Sequence, residues 1–168
     1  MIDAEHCRVM SDYNAWMNGK LYALCAGMTD GERKQDRGAF FGSIHLTLNH
    51  ILYGDMAFLS RLTGDPAEVP SLHGELHSNF AELTATREAL DSRICKWSAS
   101  LTQDWLRGDL TFVSKVDNAT RTIPRWVALT HMYNHQTHHR GQITTLLSQM
   151  GLDIGSTDIP FMPEFQPA

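Results

Sequence analysis

The sequence predicts an all-α protein built as a four-helix bundle, with a small β-hairpin before the last long helix. Three observations predict it. Four stretches carry apolar residues at three- and four-residue intervals, the period of a half-buried helix. Glycine or short polar segments punctuate those stretches. One segment, between the third and fourth, loses the helical period altogether.

The first helix is expected over residues 3–28, where Met10, Tyr13, Met17, Leu21, Leu24 and Met28 recur with helical spacing. Thr29, Asp30 and Gly31 break it. A second helix fits residues 38–63, with Phe41, Ile44, Leu48, Ile51, Leu59 and Leu62 on one side and Gly64 as its stop. A loop punctuated by proline and glycine comes next, from 64 to 77. The third helix takes Phe80, Leu83, Leu90, Ile94, Trp97 and Leu101 as its buried stripe, and Thr102 caps a short extra turn before Gly108. Then TFVSKV and ATRTI flank Asp117-Asn118 as a hairpin. Pro124 suits the first turn of the fourth helix, which runs to Met150 with Gly151 in the left-handed closing position. The remaining LDIGSTDIPFMPEF reads as irregular.

With 168 residues, 42% of them hydrophobic, the chain suffices for a single domain spanning 1–168 around a substantial core. Its net charge is −5, and no run is rich in lysine or arginine, so nothing electrostatic favours nucleic acid or anionic lipid as partner. The first residues carry acids and a histidine where a secretory signal needs a basic start and an apolar block. No apolar run approaches the roughly 18 residues of a membrane span. Cys7, Cys25 and Cys95 form no C-x-x-C pair and read as free thiols in a reducing cytoplasm, with Cys25 on the core stripe.

Nine histidines are the compositional anomaly. The fourth helix carries His131, His135, His138 and His139, and residues four apart share a face. The stripe Ala128, His131, His135, His139, Gln142, Leu146 is apolar at its ends and polar in its middle. That middle is expected to face the bundle interior, where a metal ion removes the cost of unpaired imidazoles. A histidine pair at i and i+4 is the helical bidentate arrangement of metal sites. Gln136, directly after His135, removes the zinc-protease pattern. On the second helix His50 has small same-face neighbours, Ser43, Thr47, Gly54 and Ala57. Two readings stay open for it: a ligand facing a cavity, or a half-exposed histidine beside a tight helix contact. His131 and Gln142 are expected to support the cluster or line its pocket, with a core or interface role open for His131. His138 reads as a surface or packing residue, His45 shares neither face, and His6, His73 and His77 read as solvated. Asp55 is either a partner for an imidazole or a surface acid, and Arg140 is expected in a structural salt bridge.

The segments DRGAFFGSIHLTLNHILYGDMAFLSRLTG and HMYNHQTHHRGQITTLLSQMGLD resemble the DinB (DinB/YfiT-like) family of bacterial proteins. YNAWMNGKLYAL near the start and GSTDIPFM near the end resemble it too. The resemblance implies a four-helix bundle, usually a homodimer, with a divalent metal held by three histidines. The matching positions are His50, His135 and His139. Three protein ligands leave a tetrahedral ion one open position, as catalytic sites do, and neutral imidazoles suit zinc first and nickel second. Relatives in the wider group include thiol S-transferases and isomerases that use low-molecular-weight bacterial thiols. The resemblance therefore implies a metal-dependent transferase acting on a small molecule. No general base is evident in the sequence, so catalytic residues beyond the ligands stay unassigned. A metal-dependent hydrolase and a non-catalytic stress-response or ligand-binding module are the alternatives.

Overall fold

Polar caps decide where the helices begin. The Asp3 carboxylate accepts the His6 N–H and opens α1 (Ala4–Ala26). Thr29 and Glu32 close a capping box around the short α2 (Asp30–Lys34), where sequence pattern showed only a break. Ser43 accepts the Leu46 N–H at the start of α3 (Ile44–Thr63), and left-handed Gly64 ends it. Asn79 caps α4 (Phe80–Ser98), and Thr102 caps α5 (Gln103–Arg107). Strands β1 (Asp109–Val113) and β2 (Thr120–Pro124) pair antiparallel with Thr111 opposite Thr122, and α6 (Arg125–Gln149) begins at the next residue. Two 3-10 turns, Ile159–Phe161 and Pro163–Phe165, finish the chain. This computed structural model describes residues 1–65, 75–114 and 117–167, so most of the 64–77 loop, including His73, lies outside the described residues.

Two expected boundaries move. The second long helix starts at Ile44 and not at 38, because Gly38 and Gly42 adopt φ of 67° and 77° and Ser43 caps the helix from Ile44 onward. Pro124 does not sit in the first turn of the last helix. It ends β2 opposite Asp109, and the next N–H, that of Arg125, donates to the Gly108 carbonyl at 2.9 Å. At the far end of α6, Gly151 takes the expected left-handed conformation, φ 74°.

The four long helices form the bundle, α1 packing on α4 and α3 on α6. Leu21, Leu52, Leu83, Leu129, Ile143 and Leu147 are fully enclosed between them. The three cysteines are free, and burial pushes the Cys25 thiol up to about 12, so it is a neutral core side chain. The tail is irregular yet fixed: Met162 packs against Tyr13 and Met17, and the Tyr13 hydroxyl donates to the Thr157 carbonyl at 2.8 Å. Among the described residues no helix is long and apolar enough to cross a membrane.

A charged knot lies inside this apolar frame. Arg87 of α4 donates to the Asp55 carboxylate of α3 at 2.6 Å and pairs with Asp91 at 2.7 Å. Asn18 of α1 donates to the same Asp91 at 3.0 Å. Asp55 is wholly buried, so it is neither the surface acid nor the imidazole partner that its position suggested. Burial raises both carboxyls against the downward pull of Arg87, carrying Asp91 up to about 6. Arg140 forms no salt bridge with a described residue. Its guanidinium is buried over the Tyr13 ring at 5.2 Å and donates to Thr137 Oγ1 at 3.2 Å.

Removing the cation from this knot leaves two carboxylates buried without it. Arg87→Met is expected to lose about 3–5 kcal/mol in urea unfolding at about pH 7. Asp91 already titrates well above 3.8 in the folded protein, and without Arg87 it titrates higher still. The folded variant therefore binds protons before the unfolded chain does as pH falls, and its deficit should narrow between about pH 7 and about pH 4. A deficit that stays constant or widens on acidification contradicts the assignment.

Candidate metal centre

Where α3 crosses α6, His50, His135 and His139 meet. Each offers one ring nitrogen, and these atoms lie within 4.8 Å of one another. The three ring centroids stand 5.1, 4.6 and 4.4 Å apart. The Nε2 atoms of His50 and His135 face each other at 3.1 Å. Two nitrogens on a tetrahedral zinc, each at about 2.0–2.1 Å from it, are separated by about 3.3 Å, so the spacing suits a shared cation.

Gly54 explains why the rings come this close. A Cβ at that position would lie 2.6 Å from His135 Cε1, so the bare backbone of α3 forms the floor under the imidazole. Of the small residues around His50, Gly54 is the one that makes room for the His135 ring. His139 Nδ1 donates to Gln142 Oε1 at 2.8 Å, which fixes the tautomer and leaves the Nε2 lone pair for a ligand role. The Gln142 amide nitrogen reaches His138 Nε2 at 3.4 Å on its other side.

Phe41 is a member of the site that sequence reasoning missed. It stacks on His50 at 3.9 Å and meets His139 edge-on at 5.4 Å. Its spacing fitted a helical core stripe, and no local signal corrects that once residues 38–43 are read as helix. The polar stripe of α6 faces inward only in part: His139 is buried and His135 half-buried, whereas His131 is exposed. The bundle interior is filled by Leu129, Met132, Gln136 and Ile143, while the three clustered histidines lie between α3 and α6, with His50 half-buried like His135. His131 stands 6.2 Å from the His135 ring, and His138 is exposed as expected. His45 is fully buried, its Nε2 at 2.8 Å from the His77 carbonyl and 2.9 Å from the Glu75 carboxylate. His77 is half-buried and bonded to Thr86, whereas His6 is exposed.

Burial, reinforced by the neighbouring imidazoles His139 and His50, pushes His135 down to about 3. Burial lowers His139 as well, and the bond to Gln142 partly offsets it. Both rings are therefore neutral near pH 7, with lone pairs free to bind. A set of neutral imidazoles could hold a divalent transition metal and suits the oxygen-seeking calcium and magnesium poorly. Beside the cluster opens a cavity of about 530 Å³, with His50, His131 and His135 at one end and Phe58, Arg61 and Phe112 further along.

The family model of the DinB family matches residues 1–168. The chain belongs to the DinB family. Protein DinB of Bacillus subtilis (strain 168) is 24% identical over 152 residues, covering 88% of this chain and 87% of that protein. Membership of the DinB family agrees with the bundle, and the three-histidine cluster allows this DinB protein a metal-binding role.

Replacing a glycine inside a helix by alanine ordinarily stabilises it by roughly 0.5–1 kcal/mol. In Gly54→Ala the new methyl group meets the His135 ring, so the melting temperature is expected to fall and the ring to leave the cluster. Calorimetric melts and imidazole NMR shifts measure both. A melting temperature that rises with His135 still in place shows the contact to be unimportant.

Proposed function

We propose that this DinB-family protein is a metal-dependent enzyme in which His50, His135 and His139 hold one divalent ion, zinc first and nickel second. The observation that carries the reading is three imidazole nitrogens converging within 4.8 Å, two of them on His50 and His135, which line a cavity of about 530 Å³. With three protein ligands, such an ion keeps an open position and lowers the pKa of a thiol or water bound there. Gln142 holds His139 with Nε2 available, Gly54 lets His135 reach His50, and Phe41 shields one side of the cluster.

The reaction class favoured is transfer to or from a low-molecular-weight thiol acting on a small-molecule substrate. No carboxylate stands among the described residues of the cavity wall, so hydrolysis would lack an acidic general base there. A thiol, whose pKa is far below that of water, ionises on a cation without such a base.

Protein made without a histidine tag is expected to carry about one zinc or nickel ion per chain by elemental analysis, and His135→Ala none. Gln142→Leu should stay folded and lose about 10–100-fold in metal affinity, because His139 then loses its orienting bond. With bacillithiol or mycothiol and an activated aryl halide, conjugation should be seen that His135→Ala abolishes. Tight metal retention without turnover would assign the non-catalytic module instead. Absence of metal, with no gain in melting temperature from zinc or nickel, would sink both readings.

A further inference from the structure

We propose that the cavity beside the histidine cluster binds a small organic carboxylate with an apolar body, and that Arg61 reads its charge. The proposal rests on the metal-centre reading only in taking the histidine end as the reacting end.

One face of α3 makes the floor of this cavity. His50 and Arg61 are eleven residues apart, about three turns, which brings them back to within about 20° of the same direction. Gly54, Ala57 and Phe58 lie between them on that face, and all five residues line the cavity. Leu110 and Phe112 of the hairpin and Val127 of α6 supply apolar walls.

Arg61 is the unusual group in that lining. Among the described residues it has no ion pair and no hydrogen bond. Its guanidinium instead stacks over the rings of Phe58, at 5.6 Å, and Phe112, at 5.2 Å. Arg121, the other cation of the wall, is occupied by Asp117 through bonds of 2.8 and 2.6 Å. The cavity therefore presents one oriented guanidinium, unneutralised by any described residue, on an apolar surface, although the chain as a whole carries net charge −5. Two aromatic faces hold the planar fork without using its N–H donors, which leaves them for a bidentate carboxylate. A phosphate dianion would call for several converging cationic groups, and this end of the cavity offers one guanidinium not paired with a described acid. The anion end and the histidine end are joined by Phe58, whose ring meets Arg61 at 5.6 Å and His135 at 5.8 Å. An aryl-alkanoate spans that distance with its ring on Phe58 and its carboxylate on Arg61.

Titration calorimetry with phenylbutyrate and its neutral amide, phenylbutyramide, tests this on both zinc-loaded and chelator-treated protein. The carboxylate is expected to bind at least about tenfold more tightly than the amide in both forms. Arg61→Gln should bring the carboxylate down to the amide's level and leave the amide unchanged, and Arg61→Lys should keep part of the preference. The comparison of carboxylate with amide in the wild-type protein needs no variant to fold. Equal affinity for the two, a preference that survives Arg61→Gln, or no saturable binding of either overturns the proposal. A preference confined to zinc-loaded protein places the carboxylate on the ion, which overturns the role of Arg61 while supporting the metal centre. An Arg61-dependent preference in a protein that takes up no metal leaves this proposal standing and removes the other.

Discussion

The rest of the structure depends on a guanidinium enclosed between two carboxylates. Arg87 bonds to Asp55 and Asp91, and Asn18 joins the same group, so directional bonds tie α1, α3 and α4 at one level of the bundle. Apolar packing alone sets how close helices come and leaves their rotation loosely specified. A buried ion pair adds little net stability, yet it tolerates only the rotation that satisfies it. Asp55 comes directly after Gly54 in the chain, and successive helical residues point about 100° apart. Pinning Asp55 inward therefore turns the bare backbone of Gly54 toward α6, where the His135 ring settles on it.

That rotation sets up the chemistry at the histidine cluster. Three imidazoles crowd together where burial keeps His135 and His139 uncharged, helped at His135 by its two neighbours, and that is the protonation state a metal needs. Gln142 and Phe41 then hold two of the rings from outside, one by a hydrogen bond and one by stacking. Each support comes from a different segment, so the cluster is assembled by the bundle and not by one helix. The site lies between α3 and α6 with one ring buried and two half-buried, and beside it opens a cavity large enough for a small molecule.

The hairpin has a part in this that its size conceals. Leu110 and Phe112 close one wall of the cavity, and the Phe112 ring is one of the two surfaces under Arg61. Without those strands the α3–α6 groove would be open to water along its length, and the charge of Arg61 would be screened. A short β element in an otherwise helical fold is thus placed where it gives the groove an enclosed, apolar side.

Much of this was legible in the sequence because it is local. Helical spacing fixed the existence of α1, α3, α4 and α6, Asp117-Asn118 marked the hairpin, and Gly151 marked the end of α6. The i, i+4 pair His135 and His139 and its neighbour Gln142 derive from position on one helix, and family likeness singled out His50. Other features depended on contacts between distant segments. The His50–His135 contact joins residues 85 apart in sequence. Phe41 reached the cluster only because Gly38, Gly42 and Ser43 turned an apparent helix into a loop. Asp55 and His45 read as ambiguous and Arg140 as a salt-bridge residue, yet all three are buried and Arg140 pairs with no described acid. Periodicity reports which residues share a face, but which partner meets that face is settled by packing between segments far apart in the chain.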